Sequence, residues 1–297
     1  MSGEGFRVLY EMAANPPAPV TWEEYEVRLM QDWHELLNSD AGCEERNVHG
    51  FLASHPCLVP GAYSVTGPSG HAPFPAALIS EPPLAAIGRR RPDFVWLASD
   101  SLNFTPVLIE IESPCKRWFT NEKVPHHDLT QAMNQLAEWQ AWFNRPENIL
   151  VFYEQFQIPD YLRRQRHFRP EYVLIYGRRN EFEGKPELTK LRAQFEHHGQ
   201  VVMTFDRVAP ARDCSDYICV TKTADRYRAL SIPATLRLGP IFADCWPIID
   251  NVRDVIMANP WLAYNRKTFL IERILYWSEW ARNGAQQRSI INTGDWE

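Results

Sequence analysis

Two short apolar segments joined by a polar turn place the strongest constraint on the fold of this chain. Residues 93–97 and 107–112 are rich in β-branched and aromatic side chains, and residues 99–101 between them are Ser-Asp-Ser. Such a pattern is typical of a β-hairpin. Because side chains alternate between the faces of a strand, Glu110 and Glu112 fall on the same face as Leu108. Two carboxylates in an apolar strand require an explanation.

Further predicted helices and strands alternate along the chain. Thr21 and Glu24 form a capping-box pattern ahead of an apolar stripe, and Asp128 with Gln131 forms a second. The predicted helices cover residues 22–36, 43–53, 128–144 and 187–197, and further predicted strands cover residues 149–153, 172–176 and 201–205. This alternation predicts an α/β fold, a mixed sheet flanked by helices.

Composition changes divide the chain into three predicted parts. Residues 1–20 are interpreted as an N-terminal arm, because the proline-rich stretch 15–19 does not sustain a helix. Residues 21–220 form the predicted α/β domain, in which residues 60–88 are mostly loops with one short strand. Residues 221–297 are predicted to be mainly helical, since apolar residues recur at helical spacing near residues 248–257 and 269–280.

Bulk composition narrows the class of protein. The chain has 297 residues, of which 45% are hydrophobic, which suits a globular protein. It contains no apolar run of the roughly 20 residues that cross a bilayer, so we expect no membrane partner and a cytoplasmic location. The six cysteines are scattered without a zinc-binding pattern and are predicted to be reduced and mostly buried.

The net charge of −6 argues weakly against nucleic-acid binding, because phosphate affinity comes largely from Lys and Arg. Local basic clusters can still supply such contacts, although solvated surface explains them equally well. These clusters are residues 89–91, residues 178–179, and the set Arg163, Arg164, Arg166 and Arg169.

The acidic residues of the predicted hairpin favour a metal site. Glu110 and Glu112, about 6.7 Å apart along a strand, repel by about 2.5 kcal/mol at an effective dielectric near 20, and Asp93 on the neighbouring strand adds to this repulsion. A raised pKa, a basic partner or a divalent cation relieves such crowding. Magnesium usually takes one or two carboxylates, and Asp93 with Glu110 is such a pair. Spacing alone also fits an exposed strand face without any ion.

Pro92-Asp93 followed in the next strand by Glu110-Ile111-Glu112 resembles the PD-(D/E)xK nuclease signature. The order of motifs across residues 44–208 resembles the Shedu (SduA-like) anti-phage nucleases. The motifs that precede and follow the Asp93, Glu110 and Glu112 signature are Glu45, Phe51-Leu52, His55-Pro56, Gln135-Leu136, Trp139, Ile175-Tyr176-Gly177-Arg178-Arg179 and Thr204-Phe205-Asp206-Arg207.

The resemblance implies a PD-(D/E)xK-like fold and a homo-oligomeric DNA endonuclease that depends on Mg²⁺ or Mn²⁺ and acts on DNA, in particular phage DNA. It implies that Asp93 and Glu110 bind the metal, that Gln135 points into the site and that Glu45 approaches from an earlier helix. Glu112 is expected to orient the attacking water or to bind a second metal.

One position departs from the signature, because Glu112 stands where the family pattern has lysine. Lys116 is a possible substitute, but Pro114 should take it out of the strand, which favours a structural or phosphate-contacting role. The alternative hypothesis is a catalytically inactive protein that binds DNA or assembles a complex. A sugar hydrolase with a carboxylate pair is a third class, but neighbours on one strand face are poorly placed to flank a glycosidic bond.

Overall fold

A mixed β-sheet forms the centre of the molecule. The computed structural model describes residues 10–64, 70–84, 91–284 and 297. The strands are β1 (Ala77–Ser80), β2 (Phe94–Ser99), β3 (Asn103–Ile111), β4 (His167–Phe168), β5 (Glu171–Ile175), β6 (Gln200–Met203), β7 (Ile218–Lys222), β8 (Tyr227–Ser231) and β9 (Ile249–Asp250). Their order across the sheet is β6-β5-β3-β2-β1-β7-β8-β9, and β4 pairs with β3 beside this path.

Helices flank this sheet, as expected for an α/β fold. They are α1 (Trp22–Leu37), α2 (Glu45–Ser54), α3 (His127–Phe143), α4 (Pro146–Gln155), α5 (Asp160–Gln165), α6 (Pro186–Arg192), α7 (Val252–Ala258) and α8 (Tyr264–Gly284). Within the described residues, none of these helices combines the length and the apolar character that crossing a membrane would need.

The predicted hairpin is present and lies in the middle of the sheet. Strands β2 and β3 are antiparallel, with Phe94 opposite Ile109. On its other side β3 runs parallel to β5, with Glu110 in register with Leu174. Strand β2 is buried along its whole length, and β3 is buried beyond its first residue. This central position explains the apolar, β-branched composition of both strands.

Local sequence signals place α1 and α2 close to their predicted bounds. The Thr21 hydroxyl accepts a hydrogen bond from the Glu24 backbone N–H, and the Glu24 carboxylate accepts one from the Thr21 backbone N–H, which completes the predicted capping box. Helix α2 ends at Ser54, and its C-cap His55 comes immediately before Pro56, as expected. It begins at Glu45 and not at residue 43, because residues Asp40–Cys43 form a separate 3₁₀ turn.

Helix α3 also begins differently from the prediction. Its N-cap is His126, whose Nδ1 accepts a hydrogen bond from the Asp128 backbone at 3.4 Å, so the expected cap by Asp128 and Gln131 is wrong. Asp128 falls in the first turn instead, where a negative charge interacts favourably with the helix dipole. The predicted buried stripe of Leu129, Leu136 and Trp139 is confirmed.

The predicted strand at residues 149–153 is wrong, because these residues lie in helix α4. A short apolar run does not distinguish a strand from a helix by its periodicity. Pro146 occupies the first turn of α4, a position where proline favours helix initiation. Leu150 is 59% exposed while Phe152 is fully buried, so the run is amphipathic and does not enter the sheet.

The prediction that the chain is mainly helical after residue 220 is also wrong in its first part. Residue 220 lies inside β7, which runs parallel to β1, and β8 and β9 then extend the sheet. In β8, Tyr227 and Ala229 are buried whereas Arg228 and Leu230 are exposed, which is the alternation of an edge region. The helical segment begins only at Val252, after the predicted start at residue 248.

Two smaller differences concern the segment between β5 and β7. The helix predicted at residues 187–197 is α6, which ends at Arg192 and is followed by a 3₁₀ turn at Ala193–Phe195. The strand predicted at residues 201–205 is β6, which ends at Met203. Strand β5 matches its predicted position within one residue.

The prediction of reduced cysteines is wrong for one pair. Cys43 and Cys115 form a disulfide, with their Cα atoms 5.2 Å apart and a sequence separation of 72. The bridge connects the turn before α2 to the segment after β3. Cys57, Cys214, Cys219 and Cys245 are free and buried, as predicted. Sequence spacing gave no signal for the bridge, because tertiary packing brings the two residues together.

Candidate functional site

Asp93 and Glu110 come together at one end of the hairpin. Asp93 directly precedes β2, and its Oδ2 accepts a hydrogen bond from the Ile111 backbone N–H at 2.8 Å. Glu110 lies on the adjacent strand and is only 9% exposed. Its Oε2 is buried without a hydrogen-bond partner, and its carboxylate also has a hydrogen bond from the side chain of Gln135 on α3. The hairpin and α3 therefore place an unsatisfied carboxylate oxygen inside the site.

Glu112, Lys116 and Glu45 form the second part of the site. Glu112 follows β3, and its backbone N–H donates to Ile175 O at 3.0 Å. Its carboxylate contacts Lys116 Nζ in an ion pair and shares a hydrogen bond with the carboxyl group of Glu45, in the first turn of α2. All five residues expected at the site are thus brought together, and Lys116 joins them although Pro114 follows the strand.

Crowding of these acids changes their pKa values. Loss of solvent around Asp93 raises its pKa to about 8, with further increases from the charges of Glu45 and Glu112, and the hydrogen bond from Ile111 opposes the shift. Burial and the neighbouring charge of Asp93 raise the pKa of Glu110 well above its ordinary range. The cluster therefore favours proton uptake or a cation over full ionisation.

Lys116 is the positive charge that meets this cluster. Partial burial lowers the pKa of its amine, but the hydrogen bond and charge of Glu112 outweigh burial and raise the pKa above the ordinary value. The side chain of Lys116 is 32% exposed and that of Glu112 is 15% exposed. Lys116 is therefore charged at neutral pH and retains access to solvent.

Two residues without a predicted role adjoin the site. The His49 ring stacks on Phe94 with centroids 4.5 Å apart and hydrogen-bonds to the Asp93 backbone. Glu81, with a φ of 44°, donates its backbone N–H to Asp93 O at 2.8 Å. Burial lowers the pKa of His49. Its position four residues after Glu45 was the only sequence signal, because residues four apart share one helix face.

The donor set fits a cation held by two carboxylates. In the described part of the chain, no three acidic, histidine or cysteine side chains converge closely enough to enclose an ion by themselves. Magnesium, however, keeps several waters and is commonly bound through one or two carboxylates plus substrate oxygens. The partnerless Glu110 Oε2 beside the Asp93 carboxylate suits this mode of binding.

The predicted basic clusters are largely occupied by acidic neighbours. Arg178 pairs with Asp206 at 2.9 Å and also donates to Leu37 O. Residues 89 and 90 lie outside the described residues. The remaining pairs are Arg163 with Glu154, Arg164 with Asp160, and Arg169 with Glu171. Positive charge next to the acidic cluster comes instead from Lys116.

Fold and site define a mixed α/β protein with a partly buried acidic cluster at one end of its central hairpin. The family model described as Shedu protein SduA, C-terminal, matches residues 42–208. This match covers more than half of the chain and includes every residue of the cluster, and the chain belongs to this family. Membership implies a role in defence against phage. No curated protein and no solved structure matches the chain significantly.

Proposed function

We propose that this protein is a DNA endonuclease of the PD-(D/E)xK type that depends on Mg²⁺ or Mn²⁺ and acts in anti-phage defence. The observation that carries the proposal is the buried Glu110 Oε2, which has no hydrogen-bond partner and lies in a cluster with Asp93. An unpaired buried carboxylate is costly, and a cation bound there would offset that cost. The family membership supports the defence role.

In this proposal, Asp93 and Glu110 hold the metal. The hydrogen bond from Ile111 fixes the Asp93 carboxylate, and the Gln135 side chain orients that of Glu110. When bound, Mg²⁺ or Mn²⁺ lowers the pKa of a water molecule and neutralises charge on the attacked phosphate. The two strands supply a rigid support, which keeps the carboxylates at a constant separation.

Glu112 and Lys116 act on the other side of the cluster. Glu112 orients the attacking water and accepts its proton, because its carboxylate is close enough for its charge to act on both Asp93 and Glu110. Lys116 contacts that carboxylate and, because it is partly exposed, offers a positive charge to a phosphate oxygen of the DNA backbone. The pair thus supplies a base and a positive charge from positions 112 and 116, where the family signature has a single lysine.

The experiment is a cleavage assay with purified protein on supercoiled, linear and single-stranded DNA, with Mg²⁺ or Mn²⁺ added. We expect cleavage by the natural protein, none by Glu110→Gln or Asp93→Asn, and full activity in Glu122→Gln, which removes an exposed carboxylate elsewhere. Titration of Mn²⁺ into each protein gives a readout independent of cleavage.

The outcomes separate the proposal from its alternative. Equal cleavage by the natural protein and Glu110→Gln rules out the proposed site. Absence of cleavage on every DNA form, together with DNA binding that survives Asp93→Asn, identifies an inactive DNA-binding protein on the same fold. Absence of Mn²⁺ binding by the natural protein rules out the metal.

A further inference from the structure

The Cys43–Cys115 disulfide lies in the wall of an open cleft beside the acidic site. Both cysteines are exposed, and both line the cleft, whose volume is about 570 Å³. A disulfide that solvent and small molecules can reach is open to attack by a thiolate, which approaches along the S–S axis. The disulfide is therefore accessible to solvent, and the cleft beside it has room for a small molecule.

Charge is distributed unevenly around the two sulfurs. Cys115 is followed directly by Lys116 and Arg117, and Arg178 and Lys185 line the same cleft. Cys43 has acidic neighbours in sequence, with Asp40 before it and Glu44 and Glu45 after it. Basic residues therefore follow Cys115 in the chain, and acidic residues flank Cys43.

Two acids, Asp40 and Glu181, line the cleft against four cations, Lys116, Arg117, Arg178 and Lys185, so the lining keeps a net positive charge. Both Glu181 oxygens accept backbone hydrogen bonds, from Trp118 N–H at 2.9 Å and Phe119 N–H at 3.0 Å. Arg178 forms an ion pair with Asp206, whereas Arg117 and Lys185 are exposed on the cleft wall. These two exposed cations are available to attract an anion, whereas Lys116 is paired with Glu112.

We propose that this cleft is a thiol-exchange site for a small anionic thiol. The thiolate of that molecule attacks Cys43 Sγ and forms a new S–S bond with it. The Cys43–Cys115 bond breaks, and its electron pair leaves on Cys115 Sγ as a thiolate that the neighbouring Arg117 stabilises. A second thiolate then displaces Cys43, so that two thiols become one disulfide and the protein gains two electrons and two protons.

Opening this bridge removes a covalent constraint on the acidic cluster. The bridge links the turn before α2, which begins with Glu45, to the residue next to Lys116. In the same region Ser113 Oγ donates to Cys43 O at 2.7 Å and is a weaker, noncovalent link. The exchange chemistry goes beyond the proposed function, because it requires neither a metal nor DNA.

The test uses the full-length oxidised protein without metal or DNA and compares three thiols that differ in charge. These are 2-mercaptoethanesulfonate, 2-mercaptoethanol and cysteamine, with each rate of disulfide opening divided by the thiolate concentration. We expect the sulfonate to react at least about threefold faster than the neutral thiol, and cysteamine to react more slowly, because unit charges a few ångströms apart interact measurably in water. Peptide mass spectrometry should find the first adduct on Cys43.

Matched variants test the assignment of the cleft. Arg117→Gln and Lys185→Gln should each reduce the preference for the anionic thiol, whereas Lys190→Gln, which removes an exposed lysine outside the cleft, should not. High salt should reduce the preference as well. Three results would each overturn the proposal. These are rates that do not depend on the charge of the thiol, a first adduct on Cys115, and six free thiols in the unreduced protein. None of these readouts depends on nuclease activity, so failure of the thiol-exchange proposal can be distinguished from failure of the proposed nuclease function.

Discussion

The Ile111 backbone N–H donates a hydrogen bond to Asp93 Oδ2 at 2.8 Å. This bond joins the residue that precedes β2 to the end of β3, one position beyond Glu110. It fixes the Asp93 carboxylate relative to the strand that carries the other acid of the pair. The hairpin register thus sets the geometry of the proposed metal site, and residues that orient the two carboxylates should influence metal binding.

Gln135 provides a test of that orientation. Because its side chain hydrogen-bonds to Glu110, Gln135→Ala should lower Mn²⁺ affinity by about 10- to 100-fold, the usual effect of losing an outer partner of a ligand. Gln131→Ala, which changes an exposed residue one turn earlier on α3, is the matched control and should bind normally. Calorimetric titration measures both, and equal affinities would remove Gln135 from the site.

Stability should fall with rising pH when no metal is present. The pKa of Asp93 is raised to about 8, so the folded state retains a proton that the unfolded state loses near pH 4. The free energy of unfolding therefore decreases between about pH 4 and pH 8, by at most about 1.4 kcal/mol per pH unit for one proton. Urea unfolding across this range measures the slope.

Two comparisons assign the slope to the acidic cluster. Asp93→Asn cannot ionise and should show a shallower decrease than the natural protein. Saturating Mn²⁺ should also flatten the curve, because the cation replaces the proton. An identical slope in both proteins, with or without Mn²⁺, would contradict a raised pKa at Asp93.

Lys116 should affect metal binding and cleavage in opposite directions. Lys116→Met removes the positive charge that contacts Glu112, so the cluster becomes more negative and Mn²⁺ affinity should rise several-fold. The rate of DNA cleavage should fall, because the phosphate loses a cationic contact. Lys116→Arg should retain most of the rate, and Lys190→Met controls for loss of an exposed lysine. A simultaneous loss of affinity and rate would instead indicate a structural role.

The disulfide should contribute substantially to stability. The chain-entropy model gives about 4 kcal/mol for a bridge that closes a loop of 72 residues. The double variant Cys43→Ser and Cys115→Ser should therefore lose up to that amount of unfolding free energy in urea. A dithiol reductant should destabilise the natural protein similarly and leave the double variant unchanged. If the reductant also destabilised the double variant, the loss of stability would come from a feature other than this disulfide.

Local interactions allowed several elements to be predicted from sequence. The capping box of Thr21 and Glu24 involves residues three apart, so α1 could be located without tertiary information. The alternation within residues 93–112 likewise fixed the hairpin and the common face of Glu110 and its neighbours, because strand side chains alternate whatever lies beyond them. Gln135 and Glu45 entered through family resemblance, and their roles stay predictions.

Tertiary packing decided the rest. The apolar run at residues 149–153 is compatible with a strand or a helix. Packing outside the sheet, where one side of the run is exposed, selects helix α4. Lys116 was expected to turn away from the strand, yet the segment after Pro114 folds back and its amine reaches Glu112. Cys43 and Cys115 pair across 72 residues. Sequence periodicity reports interactions within one element, whereas these contacts depend on how distant elements pack together.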